Sequence, residues 1–264
     1  MAPQAVARDD PMSADMRQNT ARSAPLRRAR ELFTSTHLVR GGTVGQDSGL
    51  TWFRTDAPHE ELNAVLAVTG DRIDDAVRAM GDAPALWHSW PGDPRFDVEA
   101  RLRQRGFRFV EEEPVMVLSL DDGHALPPVR SVPGLRIQLV ADRESLAEWV
   151  RVWTGRTDPD LVAALADTGL GRPAAVHHLL ARLNGEPIGC AAAVVTDSVV
   201  GVEHVITSEA HRGKGVGTAL TIAAVEEGTT RGAIAAVLTA SPDGLGIYRR
   251  LGFEEHAAVR RLAL

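Results

Sequence analysis

The chain has 264 residues, 44% hydrophobic, 24% charged and 5% aromatic, an ordinary globular composition that excludes wholesale disorder, collagen and a coiled-coil rod. At about 150 residues per domain it is long enough for two. Thirty-five acidic against 29 basic side chains give a net charge of -6, which argues against a nucleic-acid wrapper or a polybasic membrane anchor. The first thirty residues carry Arg8, Arg17, Arg22, Arg27, Arg28 and Arg30 beside Asp9, Asp10 and Asp15, with no apolar signal segment, and read as a loosely ordered tail (1–30). No apolar run approaches the roughly 18 residues of a membrane span. The single Cys190 cannot form an internal disulfide, so a cytoplasmic, reducing setting is expected.

From residue 31 to 120 short strand and helix patterns alternate. Leu62 to Thr69 reads as a strand, Asp71 to Met80 as a helix, Ala85 to Trp90 as a strand, Asp97 to Arg105 as a helix and Val115 to Leu120 as a closing strand. Gly41-Gly42-Thr43-Val44-Gly45 reads as a flexible connection. Gly123, Pro127, Pro128 and Pro133 mark a linker over 121–133.

A second unit, 134–264, opens with a strand from Leu135 to Val140, a helix from Asp142 to about Trp153 and another from about Asp158 to Gly169. His177 to Leu183 and Ile188 to Val195, joined by Asn184-Gly185, form the strongest hairpin signal in the chain, with Val199 to Thr207 as a third antiparallel partner. A helix from about Gly217 to Arg231, a strand from Ile234 to Ala240, a helix from Leu245 to Leu251 and strands near Phe253–Glu255 and Val259–Leu264 complete the chain. Leu102 to Phe107 is echoed by Tyr248 to Phe253, each copy ending in Gly-Phe and acids, so two related units in tandem are expected.

The informative stretch runs from Val205 to Leu220, a strand passing through a glycine-rich loop into a helix start. Unpaired amides at a helix N-terminus attract anions, and glycine lets a phosphate approach the backbone. Arg212 and Lys214 add positive charge, so a phosphate-bearing ligand is predicted. Two common phosphate loops fail on spacing. A P-loop needs Ser or Thr after its lysine, and Lys214 is followed by Gly215. In Gly213-x-Gly215-x-Gly217 the third glycine comes one place early for a dinucleotide fingerprint.

R-x-x-G-x-G, here Arg212, Gly215 and Gly217, together with Ala240-Ser241-Pro242 and Tyr248 to Phe253, resembles the GNAT N-acetyltransferase superfamily over roughly 135–264. Trp87 to Arg95 and the first Gly-Phe resemble the degenerate N-terminal half of bacterial tandem members. The resemblance implies an α/β (α+β) fold of tandem GNAT-like units, each a mixed, mostly antiparallel sheet flanked by helices. It implies acetyl-CoA as co-substrate and an amine as acceptor; net acidity and the lack of a long apolar run argue against a nucleic-acid or membrane partner, and no metal is expected. The diphosphate would lie on the amides of Arg212, Gly213, Lys214, Gly215, Val216 and Gly217, with Thr218 and Ser241 nearby. Val205, Ile206 and Thr207 would pair with the pantetheine arm, and the amide near Val205 would polarise the thioester carbonyl. Tyr248 matches the family's tyrosine that protonates the coenzyme A sulfur; the other reading is a packed ring.

Strand alternation puts Glu203 on the face of Val205 and Thr207, where its carboxylate could accept the amine's proton or bind an ammonium group, or form a surface salt bridge. His204 would then face the other way, and His211 would only decorate the loop. His177 and His178 would point to opposite sides of a strand, unfit for one metal. Cys190 reads as core, Trp149 and Trp153 as one packed helix face, and Asp158 as a helix start. The first half lacks R-x-x-G-x-G, carries Asp71, Asp74 and Asp75 instead, and has Leu102 where the echo has Tyr248, so one active site is expected, in the second half. The alternative is a non-catalytic acetyl-CoA-binding sensor or assembly module.

Overall fold

A computed structural model describes residues 11–91, 95–121, 126–128 and 131–264. Gly123 of the expected linker and Gly92, Asp93 and Pro94 of the tryptophan-rich motif lie outside them. In chain order the elements are α1 (Pro11–Leu38), β1 (Thr43–Asp47), β2 (Leu50–Arg54), β3 (Asn63–Val68), α2 (Ile73–Met80), β4 (Leu86–Ser89), α3 (Arg95–Gln104) and β5 (Arg108–Ser119). Then come β6 (Leu135–Leu139), α4 (Arg143–Thr154), α5 (Pro159–Asp167), β7 (Val176–Leu183), β8 (Glu186–Val195), β9 (Val199–Thr207), α6 (Val216–Thr229), β10 (Ala235–Thr239), α7 (Leu245–Arg250) and β11 (Glu254–Ala263). None of the helices, among the described residues, is long and apolar enough to cross a membrane.

The strands form one mixed sheet in the order β1-β2-β3-β4-β11-β5-β10-β9-β8-β7-β6. It is mostly antiparallel; among the described residues only β3 with β4 and β9 with β10 run parallel. The α/β class with a mixed, mostly antiparallel sheet flanked by helices is the expected one, but the sheet is continuous through both segments, where one sheet per unit was expected. The last strands of the two segments are interleaved: β5 lies between β10 and β11, and β11 lies between β4 and β5. Neither of these strands has a free edge over its paired length, which removes a template for wrong pairing.

Local chemistry explains the element ends. The Asp142 and Asp158 carboxylates accept from the backbone N–H groups of Ser145 and Leu161, capping α4 and α5. Asn184 and Gly185, at φ 52° and 92°, make the tight turn from β7 to β8. Alternation then sorts the core. Ala191, Ala193 and Val195 of β8 pack with Leu220, Ala224 and Val225 of α6, while Cys190 and Ala192 pack with Leu146, Trp149 and Val150 of α4. On α4's side of the sheet, Ala29 and Phe33 of α1 meet Val115 and Val117 of β5 and Val237 of β10.

Four expectations are corrected. The segment expected as a loose tail over 1–30 is helical from Pro11, and Ala29 and Phe33 are buried. Leu26, Ala29, Phe33 and His37 recur at helical spacing, a stripe obscured by the flanking arginines. Gly41 to Gly45 runs into β1 of a hairpin instead of a flexible connection. β5 begins at Arg108, seven residues before Val115, because Glu111 and Glu112 stand opposite Arg261 and Arg260 of β11 and form cross-strand ion pairs. The two closing strands expected near 253–255 and 259–264 are the single β11, with a register shift between Glu255 and Ala257.

Candidate functional site

β9 and β10 pair only at Val199–Ala235, Val200–Ala236 and Gly201–Val237. β9 then continues to Thr207 and β10 to Thr239 with no rung between them, so the sheet opens into a fork. On its other edge β9 stays paired with β8 up to Thr207–Gly189. The edge of β9 facing the fork therefore offers backbone groups with no ladder partner.

A β-bulge sits at the same place. Between the pairs Cys190–Ile206 and Ala192–Glu203 the register shifts, and His204 takes φ 50°, a left-handed conformation unusual for a residue with a side chain. The extra residue corrects the expected facing. Val205 packs on the α6 side of the sheet, whereas Glu203 meets Arg40 and His204 meets Trp149 and Trp153 on the opposite side. Glu203 and His204 are thus neighbours, with His204 Nε2 at 3.8 Å from Glu203 Oε2. Glu203 is an acceptor for the Arg40 guanidinium and lies 3.9 Å from His37 Nε2.

After Thr207 a short 3-10 turn over Glu209–His211 leads to Arg212 and then to Gly213 and Gly215 at φ 72° and 88°. Gly215 is the N-cap of α6 and supplies no side-chain acceptor, so the first amides of the helix, from Val216 through Gly217 and Thr218, remain free of a side-chain cap. A Cβ at Gly213 would meet nothing within 4 Å, so the approach to this turn is open. Lys214 Nζ donates to the Ala210 carbonyl at 2.8 Å and Arg212 Nε to the Thr207 carbonyl at 3.4 Å, both side chains being exposed. The turn thus brings uncapped main-chain N–H groups and the exposed Arg212 and Lys214 together at the start of α6.

Inside the fork lies a cavity of about 250 Å³, lined by Val205, Ile206, Thr239, Ser241 and Tyr248 on the second-half side. Tyr248 is 7% exposed and packs edge-on against Phe253. Burial, with the Glu113 carboxylate adding to it, pushes its phenol up to about 12, so it holds its proton at neutral pH.

Residues 143–253 match the family model described as the acetyltransferase (GNAT) family. This segment is a GNAT domain. The whole fold resembles solved structures at low identity. A GCN5-related N-acetyltransferase from Kribbella flavida is 22% identical with a TM-score of 0.65, covering 90% of this chain and 95% of its own. A GCN5-related N-acetyltransferase-like protein from Streptococcus suis is 16% identical with a TM-score of 0.57, covering 91% and 98%. A conserved protein of unknown function from Staphylococcus epidermidis is 13% identical with a TM-score of 0.57, covering 85% and 94%. A search of the curated proteins found no match. The family match supports acetyl transfer as the class of function.

The individual residues that wall the cavity outside 143–253 are what the sequence reading did not name. Arg40 and His37 come from the end of α1 and just beyond it, Glu61 from the turn before β3, His88 from β4, Glu113 from β5 and Arg261 from β11. A helical stripe ending in His37 and Arg40 was the available signal for the first pair; for the rest only the strand order brings them together. The bland readings are placed as follows. His177 bonds Glu227 and His178 packs on Trp149, on opposite faces of β7. Cys190 is buried and its thiol is pushed up by burial. Trp149 donates to the Ala191 carbonyl, and Trp153 stacks on His204 at the cavity wall. His211 bonds Ser208 within the loop. Among the described residues no group of His, Cys, Asp and Glu could hold a metal ion.

The buried imidazoles set an acid limit. Burial holds His37, His88 and His178 well below their usual value, His178 at about 3. Burial alone would raise Glu61, but its hydrogen bond to His204 brings it to about 2. An unfolded histidine takes up its proton near pH 6.5 and these folded ones do not, so stability is full above about pH 6.5 and falls as the pH drops towards about 3. Glu61 adds to the loss as the pH falls from about 4.5 to about 2. Thermal melting is expected to shift downward progressively below about pH 6.5; a midpoint unchanged down to about pH 4 contradicts the burial of neutral imidazoles.

Proposed function

We propose that this protein is a cytoplasmic, acetyl-CoA-dependent N-acetyltransferase that moves the acetyl group to an amine by direct attack, with residues 134–264 as its catalytic half and 31–120 as the degenerate half walling the acceptor pocket. The reading is carried by one observation: the unpaired edge of β9 inside the fork runs straight into an α6 start with no side-chain cap. An extended thioester arm needs a free strand edge, and a diphosphate needs converging amides; here the two are consecutive in the chain. Arg212, Gly213, Lys214, Gly215, Val216, Gly217 and Thr218 would hold the diphosphate, and Val205, Ile206 and Thr207 the arm. Acetyl-CoA supplies the activated acetyl group.

The chain's own groups do the rest. The N–H near Val205 is positioned to stabilise charge on the thioester oxygen, which is the largest single contribution expected in acyl transfer. Tyr248, buried and protonated, donates to the departing sulfur. Glu203 is paired with Arg40, so its part is to orient the amine side of the pocket or take its proton through water. Release of free thiol from acetyl-CoA, followed in the presence of a panel of polyamines, aminoglycosides, free amino acids and short peptides, is expected to exceed background with at least one acceptor. Background release across the whole panel contradicts the proposal.

A further inference from the structure

The bulge in β9 does more than shift the register. In a regular strand Glu203 and His204 would face opposite ways; with His204 at φ 50° both line the same cavity. Asparagine, aspartate and histidine are the residues with a Cβ that adopt this left-handed backbone most often, and bulges of this kind re-aim side chains beside active sites. Cys190 Sγ donates to the His204 carbonyl at 3.6 Å, and the ring lies on Trp153 with centroids 4.3 Å apart. The two ring nitrogens have different surroundings. Nδ1 stands 3.1 Å from Glu61 Oε2. Burial opposes ionisation of Glu61 and the bond to His204 outweighs it, holding the carboxyl at about 2, so at neutral pH it accepts the Nδ1 hydrogen. Nε2 has no hydrogen-bond partner among the described residues and is not one of the nitrogens sealed from solvent. The same holds for Glu203 Oε2, 3.8 Å away, whose other oxygen takes the Arg40 guanidinium.

An imidazole fixed by a carboxylate at one nitrogen and open at the other is built as a general base. We infer that His204 Nε2 takes the proton of the acceptor's ammonium group, that Glu61 is its positioning residue, and that Glu203 Oε2 holds a second hydrogen of the same nitrogen. One nitrogen can stand at about 2.9 Å from both of these atoms. The N–H bond breaks and leaves its electron pair on the nitrogen, the proton bonds to Nε2, and the imidazolium charge sits between the Glu61 and Glu203 carboxylates. The freed pair attacks the acetyl carbon. Tyr248 gives its proton to the departing sulfur and regains one from the attacking nitrogen, and the imidazolium passes its proton to water. The other titratable groups around the ring are His59, His178, Cys190 and Arg40; burial keeps both imidazoles neutral at pH 7, and Arg40 is already paired with Glu203. This rests on the acetyl-transfer reading and deepens it: Glu61 lies outside 143–253, so the base is completed by the preceding segment.

The first readout needs no acceptor. In NMR spectra of the full-length protein at about pH 8.5, the His204 ring, linked to its own backbone resonances, is expected as the neutral tautomer with its hydrogen on Nδ1. A hydrogen on Nε2 overturns the inference. Glu61→Gln, whose amide can donate to Nδ1 as well as accept from it, is expected to let the Nε2–H tautomer appear; an unchanged spectrum removes Glu61 as the positioning residue. The second readout is thiol release from acetyl-CoA with the fastest of the polyamine, aminoglycoside, amino-acid and peptide acceptors. His204→Asn keeps a residue suited to the left-handed backbone. It is expected to lower turnover at pH 7 by about 100-fold with acetyl-CoA affinity unchanged, the gap closing as the pH rises through the acceptor's own range of about 8–10.5, where solvent removes the proton instead. No deficit, or one that stays constant with pH, overturns the inference. Should His204→Asn not fold by circular dichroism, Glu61→Gln carries the same pH comparison with an expected deficit of about tenfold. Background release by the wild-type protein with every acceptor would fail the acetyl-transfer reading and the base with it; release that the His204→Asn variant matches fails the base alone.

Discussion

Gly215→Glu is expected to weaken acetyl-CoA binding by at least about 100-fold while leaving the fold intact. Gly215 stands at φ 88°, where a residue with a Cβ costs about 1–2 kcal/mol, and the nearest atom to an added Cβ is a side-chain methyl of Val132 at 3.5 Å. The steric cost is small and the new carboxylate lies at a helix N-terminus, where negative charge is favoured by a few tenths to about 1 kcal/mol. The two offset each other, so thermal stability changes by only a few degrees. For the ligand both effects are adverse: the carboxylate competes for the free amides of α6 and repels the diphosphate. Calorimetric titration of the variant beside a thermal melt checks this. Retained affinity places the diphosphate elsewhere.

Tyr248→Phe is expected to lower turnover by about 100-fold with little change in acetyl-CoA affinity, the loss typical of removing a general acid. The ring packs against Phe253 in the core, and phenylalanine keeps that packing. Because the phenol is held up to about 12, the wild-type enzyme should show no basic limb from this group below about pH 11. Steady-state thiol release with the best acceptor, together with a titration of acetyl-CoA into the variant, separates turnover from binding. Unchanged turnover reduces Tyr248 to a packing residue.

The second half of the fold was legible because its signals are local. A hairpin turn at Asn184-Gly185, caps at Asp142 and Asp158 and a glycine-rich turn before α6 each work within a few residues. What escaped depends on partners far along the chain. The extension of β5 back to Arg108 is made by arginines of β11 about 150 residues later, and the interleaving of β5 and β11 has no signal in either strand alone. The facing of Glu203 and His204 failed for a different reason. Alternation is a rule for regular strands, and a single bulge opposite β8 resets it. His177 and His178, on a regular strand, obey it. The cavity wall outside 143–253 was the least legible part, since Arg40, His88 and Arg261 share nothing in sequence and meet only through the sheet order.

Calorimetric titration of acetyl-CoA into the unmodified protein is the most direct measurement of whether the fork and the α6 start form a donor site. A single saturable site with a dissociation constant in the micromolar to low millimolar range, lost when S-acetyl-pantetheine lacking the diphosphate replaces acetyl-CoA, is the predicted result. No saturable heat over that range, or equal binding of the truncated thioester, contradicts it.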